Sequence, residues 1–169
     1  MKQQMVEVNV EHLGLDRTTN SPVVILKEKD GDRVLPIWIG PAEASAIAME
    51  LAGVKFARPL THDLLRQVIM GLGAQLNQVS ITRVQDNTYY AELDIRREDH
   101  VIQIDARPSD SIAIALRLQA PIFTSDDLLN IASTESPDRE SPPSDTLDAD
   151  RLKNYLQDLD PEDFGKFTP

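Results

Sequence analysis

The sequence predicts an α+β fold in which a mixed, largely antiparallel sheet packs against three main helices. Two observations carry this prediction. Segments that alternate apolar and polar residues are separated by short turns, as in antiparallel strands. Ala- and Leu-rich segments between them carry the start and stop residues of helices. A chain of 169 residues, 41% of them hydrophobic, is long enough for one domain with a proper core.

Six segments are predicted to be strands. MVEVNVEHL alternates at period two, and SPVVILKEK and RVLPIWIG flank a turn rich in Asp and Gly. Three further alternating segments are joined by short polar turns, which is typical of hairpins. The predicted strands are 5–13, 21–29, 33–40, 74–85, 88–97 and 100–105, with turns at 30–32, 86–87 and 98–99.

Three segments are predicted to be helices. Pro41 opens the first, because the missing N–H of proline costs nothing at the first helical position. Thr61 is predicted to cap the second. The predicted helices are 41–53, a second that starts at 61 and ends at Gly71 or Gly73, and 108–119. PIFTSDDLLNIA predicts a short strand followed by one or two helical turns.

The composition changes at Ser133, which divides the chain into a domain and a tail. Residues 1–132 are predicted to form the domain. Residues 133–147 are rich in Ser, Pro and acids, which predicts a disordered linker. In the remaining segment, 148–169, four apolar residues recur at helical spacing and predict a short helix, marginal on its own. They are Leu152, Tyr155, Leu156 and Leu159.

The net charge of −11 argues against a protein that binds nucleic acid through bulk positive charge. Residues 133–169 hold 10 acidic and 4 basic residues, and residues 1–132 hold 18 and 13. A polyanionic substrate would therefore need a local cleft lined by arginine, or metal ions that offset the repulsion. The arginines available for such a cleft are Arg58, Arg66, Arg83, Arg96, Arg97 and Arg107.

The absence of cysteine excludes disulfides, thiolate zinc sites and cysteine nucleophiles. No run of about 18 apolar residues is present, so no membrane span is predicted. The N-terminus lacks the apolar core of a signal peptide, and a cytoplasmic location is expected. Motifs of P-loop proteins, dinucleotide-binding folds, serine hydrolases and zinc proteases are absent as well.

IDARPSDSIAIAL places polar residues at the joint between a predicted strand and a predicted helix. Such joints present free backbone N–H groups and the positive end of a helix dipole, which favour anions. Arg107 could clamp a phosphate with two N–H groups, beside Ser109 and Asp110. Asp105 could hold a metal ion or pair with Arg107. The alternative is purely structural, with Ser109 or Asp110 capping the helix and Asp105–Arg107 forming an ion pair.

Two further candidates lie on the predicted helices. Glu43 and Glu50 are seven residues apart, on one helix face and roughly 10 Å apart along the axis. Together they could bind a divalent cation with help from elsewhere, or form a solvated stripe opposite a core face that includes Leu51. His62, at a helix start next to Asp63, could act as a general base or metal ligand, although a lone histidine there is more often neither.

Three motifs occur in order along the chain: LPIWIGPAEASAIAMELAGVKFARPLTHDLL, DNTYYAEL and IDARPSDSIAIAL. Together they resemble the bifunctional nuclease family over about residues 5–132. The resemblance implies an α+β domain that assembles as a homodimer or larger homo-oligomer. It also implies cleavage of RNA and DNA, an activity that transfers less safely than the fold.

Two functions are compatible with these residues. The first is a nuclease assisted by Mg²⁺ or Mn²⁺, acting on RNA or single-stranded DNA. Asp105 with Glu43 or Glu50 would hold the metal, His62 would accept a proton, and Arg107 would bind a phosphoryl oxygen. The second is a non-catalytic oligomeric module whose polar residues are caps and ion pairs. In that case the tail helix would dock on a protein partner or on its own domain.

Overall fold

The computed structural model describes residues 3–134, which form a seven-stranded mixed sheet and four helices. The predicted α+β class is confirmed. The segment predicted as a linker, from residue 135 onward, and the predicted tail helix lie outside the described residues. The strands are β1 Met5–Asp16, β2 Ser21–Glu28, β3 Val34–Trp38, β4 Gln75–Gln85, β5 Thr88–Arg97, β6 His100–Ala106 and β7 Ile122–Ser125, and the helices are α1 Pro41–Leu51, α2 Thr61–Gly71, α3 Pro108–Leu118 and α4 Asp126–Thr134.

The sheet consists of two three-stranded antiparallel units joined by one short strand. Its strand order is β3-β2-β1-β7-β4-β5-β6. Strand β7 pairs antiparallel with β1 and parallel with β4, and this parallel pair is what makes the sheet mixed. All other pairs are antiparallel. Strand β7 therefore holds the two halves of the domain together.

The turn between β4 and β5 shows how local sequence sets the register. Asp86 and Asn87 both have positive φ, of 50° and 59°. Asp and Asn adopt this left-handed conformation more easily than most residues, and two such residues in a row give the twist that a tight hairpin needs. The turn places Glu92 opposite Ser80 of β4, and the separate pairing of β5 with β6 places Glu92 opposite Asp105.

Helix α3 is the centre of the helical layer. Its residues Ile112, Ala113, Ile114 and Ala115 are buried, and it packs against α1, α2 and strands β4 and β5. Small side chains at these positions allow the neighbouring helices to approach closely. Helix α1 follows the same pattern, with Ala44, Ser45, Ala46 and Ile47 buried.

Helix α2 is held very differently. Ile69 is its only buried residue, whereas Leu64, Val68 and Leu72, the residue that follows the helix, are 53%, 45% and 60% exposed. A helix that buries so little apolar surface gains little from packing. Its position therefore depends on polar contacts at its N-terminal end. No helix among residues 3–134 is long and apolar enough to cross a membrane.

Two local predictions are wrong. Thr61 is the first residue of α2 and not its cap, because the cap position is Leu60, whose N–H donates to the Asp63 carboxylate at 3.0 Å. The suggested solvated stripe on α1 is also wrong, since Ile47, between Glu43 and Glu50, is fully buried while Leu51 is 50% exposed. The sequence periodicity of an Ala-rich helix defines its apolar face poorly, because alanine occurs both in the core and on the solvent-exposed surface.

Candidate functional site

A chain of four charged or polar side chains links the first turns of three helices. Nε–H of Arg107 donates to Oδ2 of Asp110 at 2.8 Å, and Nη2 of Arg107 forms an ion pair with Oε1 of Glu43 at 2.9 Å. The other oxygen of Asp110, Oδ1, lies 2.9 Å from Nε2 of His62. The order of contacts is Glu43–Arg107–Asp110–His62, and we call these four residues the N-terminal cluster.

The three helices of the cluster share one feature at their N-terminal ends. Each carries an acidic residue at its third position, Glu43 in α1, Asp63 in α2 and Asp110 in α3, and none uses a side chain at its cap position as a hydrogen-bond acceptor. Carboxylates in the first turn are stabilised by the positive end of the helix dipole. The carboxylates therefore offset an electrostatic potential that would otherwise attract an external anion.

The Asp110 carboxyl is held in its charged form. Partial burial alone would raise its pKa, but the hydrogen bonds from Arg107 and His62 outweigh this effect and hold the pKa below its ordinary value. The same ion pairs, first with Asp110 and then with Glu43, raise the pKa of Arg107. Asp110 is therefore an anion at neutral pH and fixes both neighbours.

His62 is oriented by this anion. A carboxylate only accepts hydrogen bonds, so Nε2 of His62 carries the hydrogen that faces Oδ1 of Asp110. In a neutral ring the other nitrogen, Nδ1, carries a lone pair, and among residues 3–134 it has no hydrogen-bond partner. Only 15% of the His62 side chain is exposed, so packing limits the motion of the ring.

A buried arginine that sequence reasoning missed fixes the helices behind the cluster. Nε–H of Arg117 donates to Asp63 at 2.8 Å, and its Nη atoms donate to the backbone oxygens of Ala113 and Ala46 at 2.9 and 3.0 Å. The side chain of Arg117, on α3, is only 3% exposed, so it ties α2 and α1 to α3 from inside. The sequence does contain a signal for this role, because Arg117 lies seven residues after Asp110 and therefore on the same face of α3.

Asp105 does not join the cluster. It pairs with Glu92 of β5, whose neighbours Ala91 and Leu93 are buried in the core. Because side chains alternate along a strand, Glu92 and Asp105 lie on the sheet face that points away from α3. Asp105 is exposed there. The structure therefore separates Asp105 from Glu43 and His62.

The three carboxylates predicted to hold a metal ion do not converge. Glu43 is paired with Arg107, Glu50 lies 3.5 Å from Lys55 at the other end of α1, and Asp105 is on the opposite side of the sheet. No group of three or more His, Asp or Glu residues suited to a metal ion occurs within the described part of the chain. The predicted set Glu43, Glu50 and Asp105 therefore does not fit a divalent cation.

Other predicted contacts with substrate are also rearranged. Ser109 is only 7% exposed and lies inside the first turn of α3, so it is not an open binding group. The Tyr90 ring is covered by the Arg83 guanidinium, 4.1 Å from the ring centre. Arg83 lies on β4 opposite Tyr90, and Arg96 is six residues further along β5, so the two arginines are roughly 20 Å apart at the rise of a strand. They do not form one basic groove beside Asp105.

Arg107 is the exposed member of the cluster, whereas the side chains of His62, Glu43 and Asp110 are only 15%, 18% and 27% exposed. Two clefts, with volumes of about 480 and 400 Å³, lie near Met70 and Gln75 at the C-terminal end of α2, and no member of the N-terminal cluster lines them. Arg107 is 66% exposed, and its Nη1 has no partner within residues 3–134.

Comparison with known proteins identifies the family. The family model for the bifunctional nuclease domain matches residues 24–137, which include α1, α2, α3 and the whole N-terminal cluster. The chain belongs to the bifunctional nuclease domain family. This confirms the resemblance seen in the three sequence motifs.

Relatives of this bifunctional nuclease domain occur in bacteria and plants. An "uncharacterized protein" of Mycobacterium tuberculosis is 43% identical over 164 residues, which cover 95% of this chain and 98% of that protein. Bifunctional nuclease 1 of Oryza sativa subsp. japonica is 29% identical over 121 residues, 69% of this chain and 37% of that protein. Bifunctional nuclease 1 of Arabidopsis thaliana is 28% identical over 105 residues, 60% of this chain and 32% of that protein. The chain thus spans about a third of the plant proteins.

The geometry of the cluster supplies two chemical groups side by side. His62 presents a lone pair on a ring whose opposite nitrogen is held by a carboxylate, which is the arrangement of a general base. Arg107 presents an unused pair of N–H groups on a guanidinium that two carboxylates already hold in place. A base beside a fixed cation can deprotonate a nucleophile and stabilise a phosphoryl group.

Proposed function

We propose that this bifunctional nuclease domain hydrolyses phosphodiester bonds in RNA and DNA at the N-terminal cluster. The observation that carries the proposal is that Asp110 holds both a histidine with a free nitrogen and an arginine with a free N–H pair. Membership of a family with plant members named bifunctional nucleases supports the choice of phosphodiester as the bond attacked.

In this mechanism Nδ1 of His62 accepts a proton from the attacking water. Where the 2′-hydroxyl of RNA attacks instead, the first product is a 2′,3′-cyclic phosphate, which water then opens in a second step. The attacking oxygen forms a new bond to phosphorus, the ester bond on the opposite side breaks, and the leaving oxygen takes up a proton from solvent. The anionic Asp110 stabilises the imidazolium that forms. Nη1 of Arg107 binds a non-bridging phosphoryl oxygen and offsets charge that develops in the transition state.

The proposal contains no step through a metal ion, because the predicted carboxylates do not fit one. Its positive charge comes instead from the exposed guanidinium of Arg107. This source is local and suits an acidic chain, since one guanidinium contacts one or two phosphates without a wide basic surface. Arg107 is 66% exposed, so its guanidinium is accessible to a phosphate of an extended strand.

The test is cleavage of labelled single-stranded RNA and DNA by the purified full chain. His62→Gln removes the base and is expected to lower kcat/KM by about 10²- to 10⁴-fold. Arg107→Gln is expected to lower it by at least tenfold. His100→Gln serves as the matched control, since His100 is an exposed histidine on β6 outside the cluster. This variant should retain activity within about twofold.

Two further conditions distinguish this mechanism from the metal-assisted mechanism. They are the variant Asp105→Asn and the addition of metal ions or EDTA to the assay. Activity in EDTA that is lost in His62→Gln and kept in Asp105→Asn supports the cluster. Activity that requires Mg²⁺ or Mn²⁺ and is lost in Asp105→Asn refutes it and restores the metal site predicted from sequence. Equal residual activity in all variants identifies a contaminating nuclease and leaves the non-catalytic module as the function.

A further inference from the structure

Helix α2 presents an apolar stripe to solvent. Leu64, Val68 and Leu72 are spaced by four residues and Leu65 lies beside them, so at about 100° per residue they cover roughly a quarter of the helix circumference. All four are exposed, and Leu72 is the most exposed at 60%. A row of four large apolar side chains on one helix is the form of surface that binds a second amphipathic helix.

The chain itself contains a matching segment. Residues 148–159 read DADRLKNYLQDL, and the apolar residues Leu152, Tyr155, Leu156 and Leu159 recur at the spacing of one helix face. The acidic residues Asp158, Asp160, Glu162 and Asp163 accompany and follow this face. The segment therefore combines an apolar stripe with a negatively charged end.

The length of the chain permits the contact. Leu152 is 18 positions beyond Thr134, the end of α4, and an extended chain spans at most about 3.3 to 3.6 Å per residue. The available reach is roughly 60 Å. A domain of this size has a radius of gyration of only about 14 Å, so the segment reaches any of its surfaces.

Charge distinguishes this occupant from a second copy of the domain. Arg58, three residues before α2, is exposed and has no carboxylate partner in the part of the chain that the structure describes. A two-fold axis parallel to α2 would bring Arg58 toward its own copy. The acidic residues of 158–163 would instead meet Arg58 with opposite charge.

From the stripe, the matching segment, the reach and the charge, we propose that residues 148–159 dock as an amphipathic helix on the exposed stripe of α2 in the same chain. Leu152, Leu156 and Leu159 cover the stripe, and the following acids face Arg58 at the N-terminal end of α2. Since α2 carries His62, the docked segment also stabilises the helix that holds the proposed base. The docking itself does not depend on nuclease activity.

The absence of natural cysteine permits a direct test by disulfide formation in the full chain. Val68→Cys is combined with Leu156→Cys, and the matched control combines Val68→Cys with Asn154→Cys. The control position lies on the opposite side of the predicted helix at nearly the same tether length. In a glutathione redox buffer, docking is expected to give an intramolecular disulfide at least tenfold more readily in the Leu156→Cys pair.

Three results would overturn the proposal. Equal disulfide formation in both pairs would indicate random collision of a tethered chain. Failure of both pairs would show that the segment does not approach α2. Disulfide-linked dimers, either in Val68→Cys alone or between chains of the double variant, would show that a second copy of the chain covers the stripe of α2.

Amide hydrogen exchange provides a second measurement without added cysteines. Leu152→Ser, Leu156→Ser and Leu159→Ser together should accelerate exchange in residues 61–71 by about tenfold and leave α3 unchanged. Lys153→Ser, Asn154→Ser and Gln157→Ser, on the other face of the segment, form the matched control. Unchanged exchange of α2 in the leucine variant would also overturn the proposal.

Discussion

The buried pair of Arg117 and Asp63 gives an asymmetric prediction for stability. The Arg117 side chain is 3% exposed and that of Asp63 is 33% exposed. Asp63→Asn leaves a buried guanidinium without its counter-ion, whereas Arg117→Met leaves a carboxylate that water can partly hydrate. An uncompensated buried charge costs about 3–5 kcal/mol, discounted here because the pair is partly solvated. We expect Asp63→Asn to cost about 3 kcal/mol and Arg117→Met about 2 kcal/mol.

Urea unfolding measures both values. With a slope of about 2 kcal/mol per molar urea, the midpoint should fall by about 1.5 M in Asp63→Asn and about 1 M in Arg117→Met. The double variant should lose less than the two losses combined, because both single changes break one interaction. Arg96→Met is the control, since Arg96 is exposed and bonds to Gln75; about 0.5 kcal/mol or less is expected.

Two results would refute this reasoning. If Arg117→Met costs no more than Arg96→Met, the three bonds of Arg117 do not hold α2 in place. If the effects of Asp63→Asn and Arg117→Met are additive, the two side chains do not act as a pair. In either case α2 must be positioned by something other than the buried arginine.

Three further predictions follow from the site and from α2. Folding lowers the pKa values of Asp63 and Asp110, so the stability that their ionised forms contribute is fully present above their unfolded pKa of about 4. This contribution is lost as the pH falls toward the folded pKa values. In Asp110→Asn the decline of stability with falling pH, followed by circular dichroism, should therefore be less steep. Single-stranded RNA affinity should depend weakly on salt, with a log–log slope of only about −0.7 to −1.4, because one arginine contacts one or two phosphates; a slope steeper than about −3 would indicate a basic surface elsewhere. Gly73→Ala should lower the free energy of unfolding, measured by thermal unfolding, by about 1 kcal/mol because φ at Gly73 is +70°. Gly71→Ala, in the last turn of α2 with open space around it, should raise the free energy of unfolding by about 0.5–1 kcal/mol. Equal effects of the two substitutions would refute the backbone explanation.

Local structure was largely predictable from the sequence. Period-two alternation located β4 and β5, and β5 occupies the predicted range Thr88–Arg97. Pro41 and Pro108 marked the first residues of α1 and α3, because a proline at a helix start fixes φ without losing a hydrogen bond. These signals are local, and each depends on a few neighbouring residues.

The strand order was not predictable in this way. The four-residue strand β7 is flanked by α3 and α4 in the chain, and nothing in IFTS indicates that it lies between β1 and β4. Its neighbours are more than 40 residues earlier in the chain. Such a contact is decided by the fit of the whole core and not by the residues of the strand.

The candidate site was predictable in part, for the same reason. Residue types and spacing selected Glu43, His62, Arg107 and Asp110, which the fold brings into one connected cluster. The same reasoning added Asp105, only two residues before Arg107. A strand reverses its side-chain direction at every residue, so the face of Asp105 depends on the register with β5. That register is a long-range property.

The place of β7 has a consequence for how the chain acquires its structure during synthesis. The hairpins of β1–β3 and β4–β6 are local and can form while the ribosome still holds later residues. Until residues 122–125 emerge, β1 and β4 each expose an unpaired edge, and such edges recruit strands from other molecules. The interval before β7 inserts is therefore the stage at which nascent chains of this protein are most vulnerable to aggregation.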